Sequence, residues 1–163
     1  MSLRESISRK AVLVITGFIL MAAVCLTIWW HRPPFGSGPI DAASICSFML
    51  DQVNGVDADI PQSIRELDGK RVTLLGEMWQ PMSSDDGNEN VTGFDLMKFT
   101  AYHDYQVPQV QQFVRCKVRP DRKATYYPNT VKVTGVLHVG IQRDGGRISS
   151  VFTMDVERVQ AEP

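Results

Sequence analysis

Metal- and thiol-bearing side chains are scarce in this sequence, with three cysteines and three histidines in 163 residues. No two cysteines form a CxxC pair and no histidines stand in HExxH spacing, which excludes the common zinc-ribbon and metalloprotease motifs. Ser149 and Ser150 lack a GxSxG setting, so the nucleophile elbow of an α/β hydrolase is missing too. Neither sign of charge is in excess. Seventeen Lys and Arg against eighteen Asp and Glu leave a formal net charge of −1, which argues against a polybasic lipid or nucleic-acid binder. There is no internal repeat. With no catalytic motif, the chain is expected to be no enzyme and to carry no cofactor and no metal.

What the chain has in abundance is one apolar run. Residues 11–30, AVLVITGFILMAAVCLTIWW, contain no charge and no proline. Twenty such residues are the length an α-helix needs to cross a hydrocarbon core about 30 Å thick. Arg4, Arg9 and Lys10 precede the run against a single Glu5, which favours a cytoplasmic N-terminus. Trp29 and Trp30 suit the outer interface. A cleaved signal peptide is the alternative. Ala22-Ala23-Val24-Cys25 has the outline of a lipoprotein site, but the apolar run continues beyond Cys25. The expected layout is therefore a cytoplasmic stretch at 1–10, an uncleaved signal anchor at 11–30, a linker at 31–40 and an exported domain at 41–163. Setting aside Arg4, Arg9, Lys10 and Glu5 leaves the chain from His31 onward with 14 basic and 17 acidic residues, mildly acidic and large enough for one core.

Pro33-Pro34 ends the membrane helix and Gly36-Ser37-Gly38 is a flexible spacer. Asp41 then reads as an N-cap, with Ile40 and Ile45 placed as a hydrophobic staple. Ile45, Phe48, Met49 and Val53 recur at near-helical spacing until Asn54-Gly55, so a short amphipathic helix with a core-facing stripe is expected. After the Asp68-Gly69 turn, residues 71–80 alternate as a strand. Val72, Leu74, Gly76 and Met78 lie on one face, with Thr73, Leu75, Glu77 and Trp79 on the other. Gly76 marks a bulge or bend.

The polar loop at 83–93 invites a calcium reading that fails. With Asp86 as the first ligand position, Val91 occupies the required glycine and Met97 the required glutamate. Further strands are expected at 94–99, 113–119, 130–139 and 148–156. The third alternates Val114, Cys116 and Val118 against Arg115, Lys117 and Arg119. Arg143-Asp144-Gly145-Gly146 is a hairpin signal. Together these predict a mainly β domain, a small five-stranded antiparallel OB-like barrel preceded by the helix. A sandwich or an open sheet packed by that helix would use the same strands.

Cys46 and Cys116 are the only cysteines beyond the membrane run, so a disulfide between them is one possibility. The other is a pair of small buried residues.

Several segments carry a resemblance. Ile60-Pro61, residues 67–72 (LDGKRV) and 76–81 (GEMWQP), Phe94-Asp95-Leu96, the stretch 102–109 and the strand 133–137 follow one another in order. Over residues 60–159 the chain resembles a family of exported bacterial proteins of unknown function with the pattern Ile-Pro, Leu-Asp-Gly-Lys-x-Val, Gly-x-Met-x-Pro. The resemblance implies a periplasmic protein, anchored in the inner membrane or secreted, and some members resemble accessories of ABC transport. It implies no activity.

Candidate binding residues are Trp79 and, in the 102–109 stretch, His103, Tyr105 and Pro108. His103 is the one histidine set among nearby phenols, and an imidazole there suits a metal or haem ligand. Arg115, Lys117, Arg119, Arg122 and Lys123, with Phe113, Tyr126 and Tyr127, have the look of a nucleic-acid stripe, but no nucleic acid is expected outside the membrane. The expected role is a membrane-anchored extracytoplasmic module docking an envelope protein of transport type near Trp79 and the Asp85 loop. The alternative is a metal or haem carrier using His103.

Overall fold

A computed structural model describes residues 38–83, 89–98 and 108–162. The apolar run at 11–30, with its anchor and orientation, lies outside these residues, as do Asp85, Asp86, His103 and Tyr105. Among the described residues no helix is long and apolar enough to cross a membrane.

The chain runs β1 (Ile40–Asp41), α1 (Ala42–Cys46), a 3-10 turn (Asp57–Asp59), α2 (Gln62–Arg65), β2 (Arg71–Ser83), β3 (Val91–Met97), β4 (Val114–Val118), β5 (Val131–Asp144) and β6 (Arg147–Ala161). The fold is mainly β. Hydrogen bonding follows the order β1-β2-β3-β4-β6-β5, and β5 pairs again with β2, so the five longer strands close into a ring.

Closure depends on β2 changing partners. Its residues Arg71 to Gly76 pair antiparallel with Val136 to Val131 of β5, and Glu77 onward pairs with β3 from Met97. Gly76 sits at the handover. A Cβ there would lie 2.5 Å from the Met97 carbonyl oxygen, so no side chain fits between the converging strands. Gly135 plays the same part in β5, against the Asp155 carbonyl, where Glu157 is bulged out of the β5–β6 ladder. At the far end of that ladder Gly145 (φ 55°) and Gly146 (φ 84°) form the two-residue hairpin turn announced by the sequence.

The alternating residues fill the ring. Leu74, Phe94, Leu96, Val114, Cys116, Val131, Val133, Leu137, Phe152 and Met154 are fully buried. A strap from Ser47 to Lys70 adds Leu50, Ile60, Ile64 and Leu67 to this core. It is fixed to the upper part of β5. The Val139 amide donates to Asp68 Oδ1 at 2.8 Å and the Ile141 amide to Asp57 Oδ1 at 2.7 Å. The Arg143 guanidinium donates to the carbonyls of Val53 (2.9 Å) and Gly55 (2.8 Å). A second clamp is made of glutamines. Buried Gln111 accepts from Gln52 Nε2 at 2.8 Å and donates to Gln109 Oε1 at 2.8 Å.

Several expectations are corrected. The sheet has six strands, counting two-residue β1, and it is mixed, because β1–β2 and β4–β6 are parallel. Ile40 pairs with Leu74, so the linker ends before it. The strands β2, β5 and β6 are longer than expected, at 13, 14 and 15 residues. The amphipathic helix stops at Cys46. Asp41 does cap it, accepting from the Ala43 amide, and Ile45 is buried, but Met49 and Val53 are 88% and 65% exposed. Phe48 leaves the helical stripe and packs edge-on against Phe152, ring centroids 6.2 Å apart. Gly76 carries no bulge of its own; the β2–β3 register shifts fall between Trp79 and Met82 and between Met82 and Ser83.

Candidate functional site

Lateral pairing sets outward side chains of β2, β3 and β4 in rows. Trp79 stands opposite Asp95, and Asp95 opposite Arg115. The next row is Met82, Gly93 and Lys117. Met82 reaches this face because one extra residue is accommodated at Gln80-Pro81, where proline's missing N–H suits a break in the ladder. Its methyl group lies over Gly93, 3.1 Å from where a glycine Cβ would stand. Met82 is 57% exposed and Trp79 is half-buried.

The charges on this face are partly sheltered. The Asp95 side chain is only 12% exposed and pairs with Arg115 Nε at 3.4 Å. Burial pushes the Asp95 carboxyl above its ordinary value, and the Arg115 guanidinium opposes that shift without cancelling it. Arg115 also lies over the Phe113 ring, 5.4 Å from its centroid. Lys117 is exposed. The face thus offers an apolar corner, a shelf floored by glycine and two cations beside a sheltered carboxylate.

Of the residues singled out by sequence, Trp79 lies on this face. Pro108 is half-buried where the chain enters the Gln109–Gln112 turn. His103 and Tyr105 lie outside the described residues. Cys46 and Cys116 are free, buried thiols and form no bridge. Burial, aided by the Asp41 charge, pushes Cys46 up to about 12. Burial, then the Asp95 charge, pushes Cys116 well up as well. Of the basic stripe only the Arg115–Phe113 contact forms among the described residues' ring contacts, with Phe113 itself buried, and Asp121 pairs with both Arg119 (3.0 Å) and Arg122 (3.7 Å). His138 is exposed, with Nε2 3.2 Å from Asp155 Oδ2. Among the described residues no group of three or more His, Cys, Asp or Glu is placed to hold a metal ion.

Sequence reading missed Met82 and the Asp95–Arg115 pair. The Pro81 inside a strand was the available signal for the bulge that turns Met82 outward.

No family model and no curated protein matches the chain. Among solved structures the chain is similar to a DUF3299 family protein from Pseudomonas aeruginosa, with 18% identity over 75% of this chain and 81% of that one, at a TM-score of 0.48.

Proposed function

We propose that the chain is a membrane-tethered, extracytoplasmic docking module of bacterial type, built on an OB-type barrel and without catalysis of its own. The ring order β2-β3-β4-β6-β5, with its parallel β4–β6 pair, supports the barrel type. The apolar run at 11–30 supports the tether. The single observation behind docking is the outer face of β2 to β4, where exposed Met82 and half-buried Trp79 adjoin Arg115 and Lys117. An aromatic and a methionine beside an arginine is the composition that protein interfaces favour.

A photo-crosslinker placed at Met82 in cells tests this, with exposed Gln160 of β6 as the control position. One reproducible protein adduct from Met82 alone, weakened by Arg115→Glu, is the expected result. No adduct from Met82 would sink the docking reading. A stoichiometric metal or haem in the purified chain, lost on His103→Ala, would replace it with a carrier.

A further inference from the structure

Three of the large apolar side chains that stand exposed on the described residues lie in one short part of the strap. Met49 is 88%, Val53 65% and Val56 53% exposed. They are not on a loose loop. Asp51 Oδ1 accepts the amides of Val53 (2.8 Å) and Asn54 (3.0 Å), and the Gly55 amide closes the turn on the Asp51 carbonyl at 3.0 Å. Arg143 grips the same turn through two carbonyls, and Gln52 is locked to Gln111. The protein thus spends side-chain hydrogen bonds holding apolar groups in water, the reverse of what a solvated loop needs. Rigidly presented apolar surface marks a contact site.

The charge around it identifies the occupant. Between Arg32 and Arg65 the sequence has no Lys, Arg or His, yet it carries Asp41, Asp51, Asp57 and Asp59; Arg143 is packed on the turn from β5, and its one charge is outnumbered by Asp51, Asp57 and Asp59. The Asn54 and Val53 amides hold the Asp51 carboxyl below its ordinary value, so it stays ionised. Such a rim repels an anionic lipid surface, which attracts basic segments instead. It complements a cationic one. We infer that the Met49–Val53–Val56 ridge, rimmed by Asp51, Asp57 and Asp59, is a second docking surface, seated on an apolar groove lined with Lys or Arg in a partner protein. This rests on the docking reading above and adds a separate contact with its own chemistry.

The test is thiol accessibility in the full chain. Met49→Cys and Met82→Cys are each placed in a Cys25→Ser background; Cys46 and Cys116 are buried and stay silent. A membrane-impermeant maleimide is applied to native membranes and to the purified chain reconstituted in lipid alone. The expected result is labelling of Met49→Cys slowed about tenfold in native membranes, restored in lipid alone and by about 0.5 M salt, which screens charge pairing. Equal rates in both preparations would overturn the inference. Slowing that persists in lipid alone would make the bilayer the occupant, and slowing indifferent to salt would remove the cationic partner. Should Met82→Cys alone be slowed, the docking reading stands and the ridge falls; should neither be slowed, both fall.

Discussion

Asp57 accepts the backbone N–H of Ile141 through Oδ1 at 2.7 Å, across 84 positions of sequence. Asp68 does the same for Val139, two residues earlier on the same edge of β5. The β2 partner of that edge has already ended, with Arg71 opposite Val136. Two carboxylates therefore stand where a neighbouring strand's carbonyls would be, and they cover an edge that would otherwise invite pairing with another chain. Removing either acceptor by Asp57→Ala or Asp68→Ala should cost about 1 kcal/mol, the usual net value of such a bond. The sharper readout is amide exchange. Ile141 alone should speed up in Asp57→Ala, and Val139 alone in Asp68→Ala; unchanged exchange at both amides would refute the capping role.

Gly76 is expected to be the least replaceable residue of β2. A methyl group there meets the Met97 carbonyl and the Leu96 side chain. Gly76→Ala should destabilise by about 1–3 kcal/mol, the range for overpacking a tight site. Gly38→Ala, whose Cβ would meet nothing within 4 Å, is the control. Urea titration of both variants checks the order, and equal midpoints would contradict the close approach.

The two described cysteines should be chemically silent. A buried thiol with its pKa raised to about 12, as at Cys46, or well up, as at Cys116, holds almost no thiolate near neutral pH. Alkylation of both should follow the rate of global unfolding. Fast labelling of either in the folded protein would show that its burial is wrong.

Asp95 should make stability fall as pH rises. Its carboxyl holds the proton more tightly in the folded chain than at the ordinary value of 3.8, because burial outweighs the help from Arg115. The folded state then binds more protons than the unfolded state between 3.8 and the raised value, so stability declines with rising pH across that window. Asp95→Asn should match the parent at low pH and gain on it above the window. A difference curve of opposite slope would mean the Arg115 pair wins over burial.

Gln111 should tolerate no truncation. It is buried, and Gln111→Ala leaves Gln52 and Gln109 short of a partner. The loss should be about 1–3 kcal/mol, the sum of the side-chain hydrogen bonds lost at about 1 kcal/mol each, with exposed Gln109 rehydrated and half-buried Gln52 less so. Because the clamp joins the strap to the turn before β4, exchange should rise at Val110, whose amide donates to Gln52.

The strands were readable wherever one face is wet. Val114, Cys116 and Val118 against Arg115 and Lys117 gave the right faces, and Gly145-Gly146 gave the right turn, because both signals are local. The parallel β4–β6 pair was not readable, since ring closure and no local pattern selects that partner. The helix was overrun for the opposite reason. Met49 and Val53 fit a helical stripe, but Val53 lies on a turn shaped by Asp51 and by Arg143, some ninety positions away, and Met49 lies in the non-helical stretch that leads into it. The same limit hid the candidate face. Trp79 could be assigned to the outside from alternation, whereas Met82 joins it only through the bulge, and Asp95 meets Arg115 only once β3 lies beside β4.

The parallel β4–β6 pair also sets a timetable. β4 has β3 on one side and needs β6 on the other, and β2 needs β5. A chain delivered amino end first has its first three long strands in place while Val114, Cys116 and the early half of β2 still lack their covers. The apolar interior stays open until Phe152 to Val156 arrive. Such late, distant pairing slows folding and leaves unpaired edges available to other chains. A chain interrupted before Phe152 would therefore hold an unsealed sheet rather than a slightly shorter barrel.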